Sequence, residues 1–112
     1  MTAGRLFGGR LRTQTLYTIS ALKDTYATEI ASAIGAHRPN VTRLLDDLEA
    51  DGIIVSRGER VRRVSLNPRF VAARELAALL ERLVDTDPEF VDRLGELRRR
   101  PRRPGKPLVS PP

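Results

Sequence analysis

The sequence has no cysteine, no tryptophan and a single histidine, His37. Without cysteine, the chain cannot form disulfides, thiolate metal sites or cysteine nucleophiles. One histidine is too few for a multi-histidine centre, so we expect neither a metal nor a cofactor. The three Phe and two Tyr also supply few rings on which bases of a single-stranded nucleic acid can stack.

Long apolar runs are missing as well, because no stretch approaches the roughly 18–20 residues that span a bilayer. The N-terminus is basic but lacks the apolar core of a signal peptide. We find no phosphate-binding glycine motif, no Ser/His/Asp set and no carboxylate pair suited to a cleft. These absences predict a cytoplasmic protein that is not an enzyme and has no membrane partner.

Positive charge is supplied almost entirely by arginine, which accounts for 18 of the 20 basic residues, against 14 acidic ones. Arginine binds guanine edges and phosphates through paired N–H donors, which suits nucleic acid. A high-GC genome would also raise the arginine content. Residues 98–112 carry six basic side chains and no acid, so the rest of the chain is electrically balanced.

Apolar residues repeat at helical spacing in five segments. In chain order these are 11–22, 27–34, 39–50, 69–84 and 88–98. We expect Thr25-Tyr26 to be a short link, and Asp87-Pro88-Glu89 to supply the N-cap and the acidic first turn of the last helix. We expect Arg38 to be extended, since the residue before a proline avoids the helical region. Residues 53–66 are rich in β-branched side chains around a Gly58-Glu59-Arg60 turn, which predicts a β-hairpin. The predicted fold is therefore mainly α with a small β-hairpin, an α+β arrangement.

The predicted domain organisation has three parts. Residues 1–10 form a flexible arm, residues 11–98 form one domain with C-terminal dimerisation helices, and residues 99–112 form a basic, proline-rich disordered tail. At 112 residues the chain has room for one such domain.

Two short helices joined by a tight turn and followed by a hairpin resemble a winged helix-turn-helix domain. The stretch ATEIASAIGAHRPNVTRLLDDLEADGIIVSR is similar to the ArsR-like and MarR-like families of transcriptional regulators. The resemblance implies that residues 39–50 form the recognition helix and that the hairpin, residues 53–66, forms the wing. The chain departs from metal-sensing ArsR-like members, which use thiolates or His/acid clusters.

A recognition helix buries one face and offers the other to the major groove. Here the apolar face is Val41, Leu44, Leu45 and Leu48. The candidate DNA contacts lie at the N-terminal end, and they are His37, Arg38, Pro39, Asn40, Thr42 and Arg43. Asn40 either reads adenine or bonds to local backbone, and His37 either touches a phosphate or caps the helix.

The wing carries four arginines against one acid, Glu59. They are Arg57, Arg60, Arg62 and Arg63, and we expect them to contact phosphates or a minor groove. The alternative is that they keep the protein soluble and protect the edge of a short sheet.

The helix at 69–84 is too apolar for a solvated helix on a small domain. In similar regulators the first and last helices form a two-fold dimer interface. The candidate interface residues are Leu11, Leu16, Phe70, Leu76, Leu80 and Leu83. The alternative is packing within one chain beneath the last helix.

These features predict a homodimeric, sequence-specific regulator of transcription that binds double-stranded DNA, with repression favoured over activation. One alternative is an architectural or plasmid- or phage-maintenance DNA-binding protein. Another is a winged-helix module that binds protein. Any effector, whether a small molecule or a protein, stays open.

Overall fold

The computed structural model describes residues 5–99, which form five helices and three strands. In chain order these are α1 (Arg10–Leu22), β1 (Thr25–Tyr26), α2 (Ala27–Ile34), α3 (Arg38–Ala50), β2 (Ile54–Arg57), β3 (Arg63–Leu66), α4 (Ala73–Val84) and α5 (Pro88–Arg99). Helix α4 packs on α1, and α5 packs on α2. Within residues 5–99, no helix is long and apolar enough to cross a membrane.

The first helix lies at the centre of the domain. Eight consecutive residues of α1, from position 13 to position 20, are buried, because α2, α4 and β3 surround the helix. Small hydroxyl side chains fit between these neighbours, and Thr18 Oγ1 donates to the carbonyl of Gln14 at 2.8 Å. The sequence suggested a helix with one apolar side, whereas the structure buries α1 on several sides.

The sheet has three antiparallel strands in the order β1-β3-β2. Val64 in the central strand lies opposite Ser56 on one side and Thr25 on the other. The expected link at Thr25-Tyr26 is instead the strand β1, since two residues are too few to show strand alternation in a sequence. The strand places the start of α2 directly beside the wing.

The helix-turn-helix forms largely where the sequence predicts it. Helix α2 has the predicted bounds and ends at Gly35, whose φ of 67° is left-handed. Helix α3 begins at Arg38, so the expectation that Arg38 is extended was wrong; the extended residue is His37. Pro39 is tolerated in the first turn because the first N–H groups of a helix have no partner within the helix.

The end of α3 is closed by a Schellman motif at Gly52, whose φ is 78°. Ile53 N–H donates to the carbonyl of Leu48 at 3.0 Å, and Gly52 N–H donates to that of Glu49 at 3.0 Å. Asn67, just after β3, binds the same junction through Nδ2 to the Gly52 carbonyl at 2.9 Å. The chain therefore passes from α3 into the wing through a fixed turn.

Residue Asp87 caps the last helix, as the sequence predicts. Its Oδ1 accepts the N–H of Phe90 at 3.2 Å, and Gln14 Nε2 donates to its Oδ2 at 3.2 Å. Tyr17 stacks obliquely on Phe90, with ring centroids 5.6 Å apart. Burial, and then the charge of Asp87, raise the pKa of Tyr17, against a smaller lowering by a hydrogen bond with Thr86.

Helix α4 begins at Ala73 rather than at the expected position 69, because residues 68–72 form turns. Asn67 Oδ1 accepts the N–H of Arg69 at 2.9 Å, which holds this turn. At the N-terminus, Phe7 N–H donates to Thr13 Oγ1 at 3.0 Å. The predicted arm lies partly outside the described residues, and the predicted tail lies outside them from residue 100 onward.

Candidate nucleic-acid interface

The exposed side chains at the start of α3 form the first part of the candidate interface. His37, Arg38, Pro39, Asn40 and Arg43 are exposed, and Thr42 is half-buried. On the opposite face of the helix, Val41, Leu45 and Leu48 are fully buried and Leu44 is partly buried. The predicted division of α3 into an apolar face and a donor-rich end is therefore present in the structure.

Within the described part of the chain, the structure shows neither helix capping by the His37 side chain nor a local backbone hydrogen bond by the Asn40 side chain. His37 occupies the N-cap position of α3, yet its side chain makes no capping hydrogen bond. Asn40 is exposed, and among residues 5–99 its side-chain amide has no hydrogen bond; its backbone N–H donates to the His37 carbonyl at 3.0 Å. Both side chains are available to a ligand at this end of the helix.

The wing is the second part of the candidate interface, and its tip turns at Gly58. This residue has a φ of 101°, and a Cβ there would collide with the carbonyl oxygen of Val61. Only glycine accepts that conformation and that approach without strain. The turn brings Arg57 and Arg63 opposite each other at the top of the two strands.

Two wing arginines are paired with one acid from outside the hairpin, Asp24 between α1 and β1. Arg57 Nη2 lies 2.7 Å from Asp24 Oδ1, and Arg63 Nε lies 3.1 Å from Oδ2. The Arg63 guanidinium also lies over the Tyr26 ring, 5.2 Å from its centroid. These contacts attach the wing to the segment that leads into α2.

A third wing arginine, Arg62, is paired with α3. Its Nη1 donates to Asp46 Oδ1 and its Nη2 to Glu49 Oε1, both at 2.7 Å. Its Nε donates to Ser56 Oγ at 2.9 Å, and Ser56 Oγ donates in turn to Glu49 Oε1 at 2.6 Å. We call this group of Arg62, Ser56, Asp46 and Glu49 the wing clamp.

Within the wing clamp, Glu49 and Arg62 each stabilise the charged form of the other. The hydrogen bond from Ser56, and then that from Arg62, hold the pKa of Glu49 below its ordinary value. Burial acts to lower the pKa of Arg62, but the hydrogen bonds to Glu49 and Asp46 outweigh it and raise that pKa. Both groups are therefore charged at neutral pH.

The remaining wing arginine, Arg60, is exposed. Within residues 5–99 it has neither an ion pair nor a hydrogen bond, and it lies beside Val61, which is 51% exposed. The wing contains four arginines. Within residues 5–99, three of them are paired with acids and Arg60 is not. Sequence reasoning missed Asp24, Asp46, Glu49 and Ser56 as partners of the wing, because neither spacing nor composition links them to it.

The candidate dimer residues divide into two groups. Leu16 and Leu80 are 2% and 0% exposed in the single chain, so they belong to its core and are not available to a partner. Leu11, Phe70, Leu76 and Leu83 are partly exposed. Leu79, which the sequence analysis did not select, is 43% exposed and lies on α4 between Leu76 and Leu83.

Comparisons with known proteins give two matches. The MarR family profile matches residues 10–58, from the start of α1 to the tip of the wing. A solved structure described as "Transcriptional repressor, CouR, bound to a 23-mer DNA duplex" matches with a TM-score of 0.55 and 28% sequence identity. That match covers 85% of this chain and 66% of the CouR chain, so the chain spans a little under two thirds of that protein's length. A comparison with curated proteins gave no match.

Proposed function

We propose that this winged helix-turn-helix chain, which is similar to MarR-family proteins, is a transcriptional regulator that binds double-stranded DNA sequence-specifically. We further propose that it acts as a homodimer and a repressor. The observation that carries the proposal is the exposed, donor-rich start of α3, with no partner for those side chains among residues 5–99. The similarity to a repressor bound to DNA supports the same reading.

The proposal assigns different tasks to α3 and to the wing. Asn40 and Arg43 are exposed near the start of α3, the end with which helix-turn-helix proteins contact base edges. Asparagine matches the adenine edge and arginine the guanine edge in the major groove. Arg60, at the wing tip, supplies positive charge to a phosphate or a minor groove without first breaking an ion pair.

The homodimer that we propose uses a different set of α4 leucines from the set predicted from the sequence. Because Leu80 is buried in its own chain, the stripe that a partner can reach is the exposed Leu79 with the partly exposed Leu76 and Leu83, which share one face at helical spacing. A two-fold dimer through this stripe would present two α3 helices to two halves of an inverted repeat. Because a regulator of this kind acts on chromosomal DNA, we propose that it is cytoplasmic and associated with the nucleoid.

The experiment that tests the function is selection of DNA from a random double-stranded pool by the purified chain. We expect recovery of an inverted repeat, and we expect Arg43→Ala to recover it poorly. The matched control is Arg69→Ala, which removes an exposed arginine outside the candidate interface. Diffuse recovery without a motif would favour an architectural DNA-binding protein instead, and no recovery at all would contradict DNA binding.

Repression is tested separately, by placing the selected site in a promoter. Transcription in vitro should fall when the chain is added and should be unaffected when the site is scrambled. A rise in transcription would show an activator and would contradict the repressor part of the proposal.

A further inference from the structure

We propose that Arg62 is a positioning residue for DNA binding, which holds the wing against α3 and does not itself contact DNA. The inference rests on the proposed DNA-binding function and departs from the expectation that all four wing arginines touch DNA. It assigns Asp46 and Glu49 a role as well, as the fixed partners that determine where the wing lies.

The geometry of the wing clamp supports this assignment. Each of the three guanidinium nitrogens of Arg62 donates to a protein oxygen, at 2.9, 2.7 and 2.7 Å. Its side chain is 31% exposed, against 54% for that of Arg57. A DNA phosphate would have to displace two charge-assisted hydrogen bonds, which are among the stronger contacts that proteins make. Contact with DNA is therefore costly for Arg62 and not for Arg60.

The position of the clamp explains why it matters for binding. Asp46 and Glu49 are three residues apart on α3, so they share one face of the helix. Both are acidic, and unpaired carboxylates beside the recognition surface would repel phosphates. Arg62 pairs with both and thereby neutralises that face while it fixes the distance between α3 and the wing.

The clamp also connects different parts of the chain. Its members come from α3, from β2 and from the loop before β3, whereas Asp24 attaches Arg57 and Arg63 to the segment before α2. The wing is thus tied both to the helix that would read bases and to the strand that precedes the supporting helix. An element held in this way loses little conformational entropy on binding, because its orientation is already fixed.

The test compares Arg62→Met with Arg60→Met, which removes the same charge from the same loop. Amide hydrogen exchange of β2 and β3 is measured on the full chain without DNA. We expect Arg62→Met to speed exchange in both strands by about tenfold or more, as the loss of charge-assisted hydrogen bonds implies, and Arg60→Met to leave it unchanged. Unchanged exchange in Arg62→Met would overturn the clamp.

The second arm measures affinity for the selected site and for random DNA over a salt series. Loss of a phosphate contact reduces the slope of log K against log salt by about 0.9. We expect this reduction for Arg60→Met. For Arg62→Met we expect an unchanged slope. We also expect the ratio of the affinity for the selected site to the affinity for random DNA to fall about tenfold. A reduced slope in Arg62→Met would show a direct phosphate contact and would overturn the proposal.

The outcomes separate the two levels of inference. A wild-type chain that binds no DNA contradicts the proposed function, whereas a DNA-binding wild type with an unaffected Arg62→Met contradicts only the positioning role. If Arg62→Met does not fold, Arg62→Lys replaces it, because lysine keeps the charge but carries one nitrogen instead of three. The same two measurements then apply, and wild-type values in both would overturn the proposal.

Discussion

Neighbouring leucines on α4 should respond very differently to truncation. Leu80 is fully buried, and Leu79 is 43% exposed. Leu80→Ala removes three buried carbons, worth about 0.8 kcal/mol each, and leaves a cavity, so we expect a loss of about 3–4 kcal/mol in the free energy of unfolding. Leu79→Ala removes the same atoms from a site a little over half covered and open to solvent, so we expect a loss of about 1 kcal/mol.

Urea denaturation followed by far-ultraviolet circular dichroism measures both losses, and the chain's lack of tryptophan is then no obstacle. The protein must be dilute enough to be monomeric by light scattering, since a dimer through α4 would add to the effect at Leu79. Equal losses in the monomeric chain would refute the assignment of Leu80 to the core and Leu79 to the surface. Leu79→Glu should then convert the dimer into a monomer at micromolar concentration, and a variant that stays dimeric would place the interface elsewhere.

Three further predictions concern α3, the last helix and the core. Arg43→Ala should weaken binding to the selected site by about 1–3 kcal/mol and leave random DNA little changed in fluorescence anisotropy; equal losses would mean that Arg43 does not read bases. Asp87→Ala should lower the free energy of unfolding by about 1–2 kcal/mol, through loss of the α5 cap and of the Gln14 contact, whereas exposed Asp85→Ala should not. The pKa of Tyr17 is raised in the fold, so its neutral phenol stabilises the fold at any pH below the ordinary tyrosine pKa of about 10. This stabilisation is lost as the pH rises through the raised pKa. Tyr17→Phe should accordingly flatten the alkaline fall in the urea midpoint, and an unchanged fall would assign it to other groups.

Local signals in the sequence were sufficient to place the helix-turn-helix. Helix α2 has the predicted bounds because Ala27, Ile30, Ala31 and Ile34 repeat at helical spacing and Gly35 ends the run. The Asp87 cap was equally visible, since an acid followed by proline is a strong helix start. Signals of this kind depend on neighbours within one or two turns, and such neighbours are adjacent in the sequence.

Contacts between distant segments were not visible in the same way. The pairing of β1 with β3 joins positions that are 39 residues apart, as Thr25 and Val64 show, and two residues carry no alternation that would reveal a strand. The apolar stripe of α4 predicted a buried face, but it did not show that Leu80 is buried and Leu79 is left exposed. For the same reason a count of wing arginines could not identify the acids of α3 and of the α1–β1 loop as their partners.

The junction at Gly52 has a consequence for how the length of this domain can vary. The turn there is held from the α3 side by the Schellman hydrogen bonds and from the β3 side by Asn67. An inserted or deleted residue would break both sets of hydrogen bonds and shift the hairpin relative to α3. The loop at 58–61 is exposed and lies beyond the last strand pair, so extra residues there lengthen the hairpin tip without moving its base or Arg62. Differences in chain length among related domains should therefore accumulate at the tip and avoid the junction.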